Sequence, residues 1–173
     1  EVAFAGRSNA GKSSAINAIV NQRNFARTSK SPGRTQLVNF FQLSDQQRLV
    51  DLPGYGYARV PKSVQDHWRK LMGAYFEQRK SLTGLIIVVD IRRSLGDFDW
   101  QMIDWSRQIG CAAHVLLTKA DKLKRGASIS TLNQVRKDVG EGITAQLFSA
   151  TKRVGVEEAR EVLDRMVAID PDE

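Results

Sequence analysis

Apolar residues fall alternately into short continuous runs and longer stripes at helical spacing, a pattern that predicts strands and helices taken in turn. Val2, Ala3, Phe4 and Ala5 form the first buried run, and residues 14–20 carry Ala, Ile and Val at helical spacing. Residues 22–32 are polar and basic with neither period, which predicts a mobile loop. Residues 36–43 alternate loosely as a strand, 44–47 turn, 48–52 return as the hairpin partner, and 53–57 read as a flexible loop. From Pro61 onward Val64, Trp68, Leu71, Met72, Tyr75 and Phe76 make one stripe, with Lys62, Arg69, Lys70, Arg79 and Lys80 mostly off it; the aromatics there belong to a core rather than to a base-stacking surface. Residues 82–89 are too apolar to leave a face in water, as expected of a central parallel strand. A helix marked by Phe98, Met102, Trp105 and Ile109 follows, then a strand over 112–117, a helix over 130–139, a strand over 144–149 and a closing helix over 156–169. The pattern predicts an α/β fold: a doubly wound, mostly parallel six-stranded sheet with one antiparallel strand and helices on both faces. The 173 residues suffice for one well-buried domain spanning 1–173.

Between the first strand and the first helix lie Gly6, Arg7, Ser8, Asn9, Ala10, Gly11, Lys12 and Ser13, followed by Ser14, in the spacing GxxxxGKS. Strand, loop and helix are the context this phosphate-binding motif requires. Gly6 and Gly11 let the backbone turn so that successive N–H groups meet a β-phosphate, and the opening helix adds its positive dipole end. Lys12 would reach the β- and γ-phosphates, and the Ser13 hydroxyl would sit where Mg²⁺ binds.

Such a loop leaves ATPase, kinase and GTPase open, and three later elements choose among them. Asp51, Leu52, Pro53 and Gly54 end a strand where a carboxylate can hold Mg²⁺ through water and the Gly54 N–H can meet a γ-phosphate oxygen; alone, this is also an ordinary turn. Thr118, Lys119, Ala120 and Asp121 follow a buried strand, and a carboxylate there accepts from N1–H and the N2 amino group of guanine, donors that adenine lacks. Ser149, Ala150 and Thr151 follow the last strand, where the Ala150 N–H can donate to guanine O6, and Phe148, Ser149 and Ala150 join the nucleotide-binding residues. These elements select GTP over ATP and argue against a nucleotide kinase.

Charge then refines the picture. Lys and Arg number 26 against 19 Asp and Glu, a net +7 with pI near 9.8, which favours an acidic partner such as nucleic acid. No acidic residue separates Glu1 from Asp45, whereas Arg7, Lys12, Arg23, Arg27, Lys30 and Arg34 lie between them, so the basic charge gathers on the nucleotide side. Cys111, the one cysteine, reads as a small core residue, and neither His67 nor His114 is assigned a catalytic role. With no apolar run near the ~18 residues of a membrane span and no signal-peptide pattern, the expectation is a cytoplasmic protein without membrane contact. The chain opens inside a strand, and further residues are expected before Glu1.

In order and spacing the motifs resemble those of translation-factor-related GTPases, and GRSNAGKSS, SPGRTQLVNFF, DLPGYGYARVP and LLTKADK resemble the EngB family of bacterial ribosome-biogenesis GTPases over essentially the whole chain. The resemblance implies a monomeric GTPase that binds GTP, GDP and Mg²⁺, contacts rRNA and proteins of the large ribosomal subunit or its precursor, and is linked to cell division and septation. It implies that Gly33, Arg34, Thr35, Gln36 and Leu37 form the first switch, with Thr35 adding a second protein oxygen to Mg²⁺. Lys12, Thr35, Gly54 and Asn9 then carry the catalytic roles. Asn9 resembles the asparagine of GTPases that bind K⁺ beside the phosphates, making K⁺ a candidate ligand. Two residues depart from the general GTPase pattern. Thr118 replaces an asparagine, with weaker base binding expected, and Tyr55 stands where many GTPases place the water-orienting glutamine, which implies slow hydrolysis. A nucleotide-ordered rRNA-binding module with negligible turnover is the alternative.

Overall fold

The computed structural model describes residues 1–26, 37–56 and 60–168. Its elements run β1 (Val2–Gly6), α1 (Lys12–Ile19), β2 (Asn39–Gln42), β3 (Arg48–Asp51), α2 (Lys62–Gln78), β4 (Gly84–Asp90), α3 (Asp97–Gln108), β5 (Ala112–Thr118), α4 (Arg125–Val139), β6 (Ile143–Leu147) and α5 (Val156–Val167). One sheet orders them β2-β3-β1-β4-β5-β6, parallel throughout except for the antiparallel β2–β3 hairpin.

The central strands have no polar face, and the physical reason is a core on each side. Ala3, Ala5, Leu85, Ile87, Val89, Val115 and Leu117 point into a cluster with Trp68, Met72 and Phe76 of α2 and Met102 and Ile103 of α3. Their neighbours Val2, Phe4, Ile86, Val88 and Leu116 point the other way, against Ile16 and Ile19 of α1 and Val162, Leu163 and Met166 of α5. At roughly 25 cal/mol per Å² of apolar surface, burial on both faces leaves the strand order little freedom to vary. The chain leaves β1 for α1 on one face and β3 for α2 on the other, so a crevice opens at the carboxyl ends of these neighbouring strands, where α/β sheets bind ligands.

A polar cluster interrupts the α5-side core. His114, 2% exposed, accepts the Thr144 hydroxyl at Nδ1 (2.7 Å) and donates from Nε2 to Gln146 Oε1 (3.1 Å). The Gln146 amide in turn donates to the carbonyls of Gly155 (2.8 Å) and Leu147 (3.2 Å), which orients it and sets the His tautomer. Burial, offset in part by the Gln146 bond, pulls the His114 pKa down to about 4.

Several boundaries and two loops differ from expectation. β2 is shorter than 36–43 because the Leu43 and Ser44 N–H groups turn back to the Gln47 carbonyl. α4 begins at Arg125 rather than 130, its first turn braced by the Ser128 hydroxyl near the Ala120 and Lys124 carbonyls. β6 ends at Leu147, after which Ser149 pairs with Val154 instead of continuing the ladder. Residues 22–26, expected to be mobile, are held: Asn17 hydrogen-bonds both backbone groups of Ala26, which is fully buried, and Phe25 packs on Phe41 with ring centres 4.8 Å apart. The loop after β3 is not flexible at Tyr55, which is buried to 3% exposure. Cys111 is half-buried at the edge of the core rather than within it. No described helix is long and apolar enough to cross a membrane.

Candidate nucleotide-binding site

β1 ends at Gly6, and the following loop enters α1 through Asn9 and Gly11, both left-handed, with φ of 65° and 89°. Gly11 takes that conformation without steric cost, and the helix start then presents N–H groups that lack an i−4 acceptor. Ala10 is buried beneath the loop, its N–H bonded to the Arg7 carbonyl (3.0 Å), whereas Ser14 is exposed on α1. The Lys12 ammonium lies 2.5 Å from Asp51 Oδ1 and donates to the Leu52 carbonyl, so phosphate loop and β3 terminus meet as the sequence motifs require.

These residues suit the groups expected of them. Ser13 and Asp51 supply the hard oxygen donors that Mg²⁺ prefers. The Ser8 hydroxyl, buried without a hydrogen-bond partner among the described residues, is an orphaned polar group at the loop's edge. A Cβ added at Gly54 would lie 3.0 Å from that hydroxyl, a contact the Ser8 side chain would have to relieve, so the β3 loop packs closely on the phosphate loop here. Gly33, Arg34, Thr35 and Gln36 lie outside the described residues, and Leu37 is 71% exposed where the described chain resumes.

Thr118 and Lys119 join the segment after β5 to the loop after β1. The Thr118 hydroxyl donates to the Ala10 carbonyl (2.5 Å), with the Val89 carbonyl at 3.1 Å, and Lys119 Nζ donates to the Asn9 carbonyl (2.7 Å). The hydroxyl at position 118 is therefore engaged with the phosphate loop rather than turned to a base. Lys119, itself left-handed at φ 58°, is anchored 3.2 Å from Asp90, a carboxylate that Arg92 and Lys119 hold well below its ordinary range. Asp121 accepts the Ser149 hydroxyl at Oδ1 (2.6 Å), and that bond, with Lys122 nearby, keeps its pKa low and the carboxylate ionised at neutral pH. The Ala120 N–H donates to the Phe148 carbonyl (3.0 Å) and the Phe148 N–H to the Leu117 carbonyl (2.8 Å). Asp121 and the turn carrying Ala150 are thus built as one unit.

Three participants were not found in the sequence. Asp90 ends a buried strand as Asp51 does, and that shared position was the available signal. Asp99 accepts the Tyr55 hydroxyl (2.5 Å), and Trp68 donates from its indole to the Pro53 carbonyl (3.0 Å). Burial pushes both Tyr55 and Asp99 up in pKa. Only the Gly96-x-x-Asp99 spacing, a helix-capping pattern, hinted at Asp99.

A model of the 50S ribosome-binding GTPase family matches residues 1–119. Among solved structures, a probable GTP-binding protein engB is 21% identical, with 96% of this chain and 97% of that one covered and a TM-score of 0.76. Era in complex with MgGDPNP and nucleotides 1506-1542 of 16S ribosomal RNA is 16% identical, with 98% of this chain and 57% of that one covered and a TM-score of 0.70. A variant of Aquifex aeolicus Era bound to GDP.AlF4- is 16% identical, covers 99% of this chain and 60% of that one, and has a TM-score of 0.73. At these identities the likeness is one of fold.

Proposed function

Because the chain belongs to the family of 50S ribosome-binding GTPases, we propose that it is a monomeric, cytoplasmic GTP-operated switch of a single domain, 1–173, acting in assembly of the large ribosomal subunit and needed for normal cell division and septation. The observation that carries the GTP reading is Asp121, ionised, fixed by Ser149 and joined through Lys119 and Thr118 to the phosphate loop. In this reading Lys12 and the backbone of residues 6–14 bind the phosphates, and Ser13, Asp51 and Thr35 hold Mg²⁺, which neutralises charge on the β- and γ-phosphates when bound. The Gly54 N–H takes a γ-phosphate oxygen, residues 33–37 contribute the first switch, and Leu52 and Pro53 support the second loop. The guanine pocket is formed by Thr118, Lys119, Ala120, Asp121, Phe148, Ser149 and Ala150.

Tyr55 is turned into the core and cannot orient water, which supports slow turnover and keeps a nucleotide-ordered binding module with negligible hydrolysis as the second reading. Asn9, exposed at the loop's turn, suits a K⁺ ion that would stand in for an arginine finger. Turnover about tenfold faster in K⁺ than in Na⁺, and lost with Asn9→Ala, is the expected outcome. Equal rates in both buffers, with Asn9→Ala unchanged, would remove the cation.

Particle binding is assigned to basic side chains flanking the nucleotide-responsive loops: Arg23, Arg27, Lys30 and Arg34 beside the first, and Lys62, Arg69 and Lys70 on α2 after the second. Arg23, Lys62, Arg69 and Lys70 are exposed, while Arg27, Lys30 and Arg34 lie outside the described residues. The protein with GTP, but not GDP, should comigrate with large-subunit particles, with an affinity falling steeply in salt as bound phosphates release counterions. Replacing Lys62, Arg69 and Lys70 together by Ala should lower the salt slope by about three units, one for each phosphate no longer neutralised. Matching slopes in parent and variant would exclude rRNA phosphate binding by α2, and comigration that ignores the nucleotide would exclude the switch.

A further inference from the structure

We propose that Asp99 is a positioning residue for GTP hydrolysis, acting through Tyr55 to hold the Gly54 peptide against the phosphate loop. The inference rests on the role of Gly54 given above and adds how that peptide is held.

The backbone of Tyr55 extends β3 pairing past its last strand residue. Ser8 N–H donates to the Tyr55 carbonyl (2.9 Å) and Tyr55 N–H to the Gly6 carbonyl (3.4 Å), a parallel bridge between the phosphate loop and the segment after Gly54. The side chain at 55 enters the core on the α2–α3 side. Its ring packs on Trp68 and Phe98, with centres 5.0 and 5.5 Å away, and its hydroxyl donates to Asp99 Oδ1 (2.5 Å). The other Asp99 oxygen accepts the Gly96 N–H (2.9 Å) at the start of α3, so Asp99 is itself fixed to a rigid element.

On the other side of Gly54, the Trp68 indole holds the Pro53 carbonyl. Gly54 is thus clamped between two side-chain hydrogen bonds made to different helices. Asp99 is fully buried, and a carboxylate is an expensive group to leave there for packing alone. Arg7 of the phosphate loop reaches the Gly56 carbonyl (3.4 Å) and interacts electrostatically with both Asp99 and Tyr55. A donor aimed at developing charge contributes to catalysis only if its position is set beforehand, which is what this clamp supplies.

The test compares Tyr55→Phe, Asp99→Asn and the double variant, with Gly54→Pro, which removes the N–H itself, as reference. Tyr55→Phe keeps the ring packing and leaves Asp99 bonded to Gly96, so it reports on the hydroxyl even if Asp99→Asn fails to fold. The expected result is kcat about tenfold lower in each, since misplacing a group by about 1 Å can cost up to a hundredfold. GDP affinity and the KM for GTP should stay within about twofold because the ground-state phosphate interactions remain. The double variant should be no slower than the singles, and the change in tryptophan emission on binding a GTP analogue should shrink in all three. Parental kcat in Tyr55→Phe while Gly54→Pro is impaired, or additive losses in the double variant, overturns the clamp alone. Parental turnover in Gly54→Pro, which has no backbone N–H to donate, overturns the Gly54 role and the clamp with it.

Discussion

Asp121→Asn is expected to weaken GTP about a thousandfold and to bind xanthosine triphosphate better than the parent does. Two hydrogen bonds to a charged acceptor at roughly 1.5–3 kcal/mol each set that scale. A site built around hydrogen bonds also rejects the wrong base strongly, because its buried groups are then left unpaired. The structure adds a reason why the exchange should be local. Asp121 Oδ1 is engaged by the Ser149 hydroxyl, and an asparagine can keep that bond with its own Oδ1. Its amide nitrogen then stands in place of Oδ2, a donor matching the C2 carbonyl of xanthine and opposing the N2 amino group of guanine, while Oδ1 can still accept N1–H of either base. Competition of GTP and XTP against a fluorescent GDP derivative measures both affinities. A variant that holds GTP like the parent and gains nothing for XTP would take Asp121 out of the base pocket.

Acidification from pH 7 to 4 should cost the parent about 3 kcal/mol more unfolding free energy than it costs His114→Gln, from a shift of 2.5 units at 1.36 kcal/mol each. His114 has a folded pKa of about 4 against an ordinary 6.5. Between those values the unfolded chain takes up a proton that the folded one refuses. Its contribution is therefore complete above pH 6.5 and lost progressively as pH falls through 4. Arg165 of α5 and Arg136 of α4 lie on the side that opposes a positive charge, and Gln146, bonded at Nε2, opposes the shift without reversing it. The lowered carboxylates, Asp90, Asp121 and Glu1, also lose stability in acid, but below their ordinary range, and they do so equally in both proteins. Urea unfolding across the pH series reads the difference, and parallel losses would clear His114 of the effect.

The apolar runs at 2–5, 82–89 and 112–117 were legible as central strands because a strand buried on both faces must be apolar at every position. The GxxxxGKS loop and the turns at 118–121 and 148–150 were equally legible as short contiguous stretches after buried strands, and the structure joins them through Thr118, Lys119 and Ser149. Less was visible where the signal was weak or distant. The first turn of α4 at Arg125 carries little apolar periodicity, and its brace comes from Ser128 reaching back to Ala120 and Lys124. The loop after β3 has the Gly and Pro content of a flexible segment, yet Trp68, from fifteen positions later, and Asp99, from forty-four positions later, hold it on either side of Gly54.

The α/β alternation, the position of the GxxxxGKS loop between strand and helix, and the expectation of guanine all follow from neighbouring residues and elementary hydrogen-bond chemistry. Only the tertiary structure decided that Tyr55 is withdrawn into the core, that Thr118 is engaged with the Ala10 carbonyl, and that Lys119 joins Asn9 to Asp90. The physical reason is the strand order. Placing β1 between β3 and β4, with β5 beside β4, brings the ends of four strands to one edge of the sheet, where residues far apart in the chain become one another's hydrogen-bond partners.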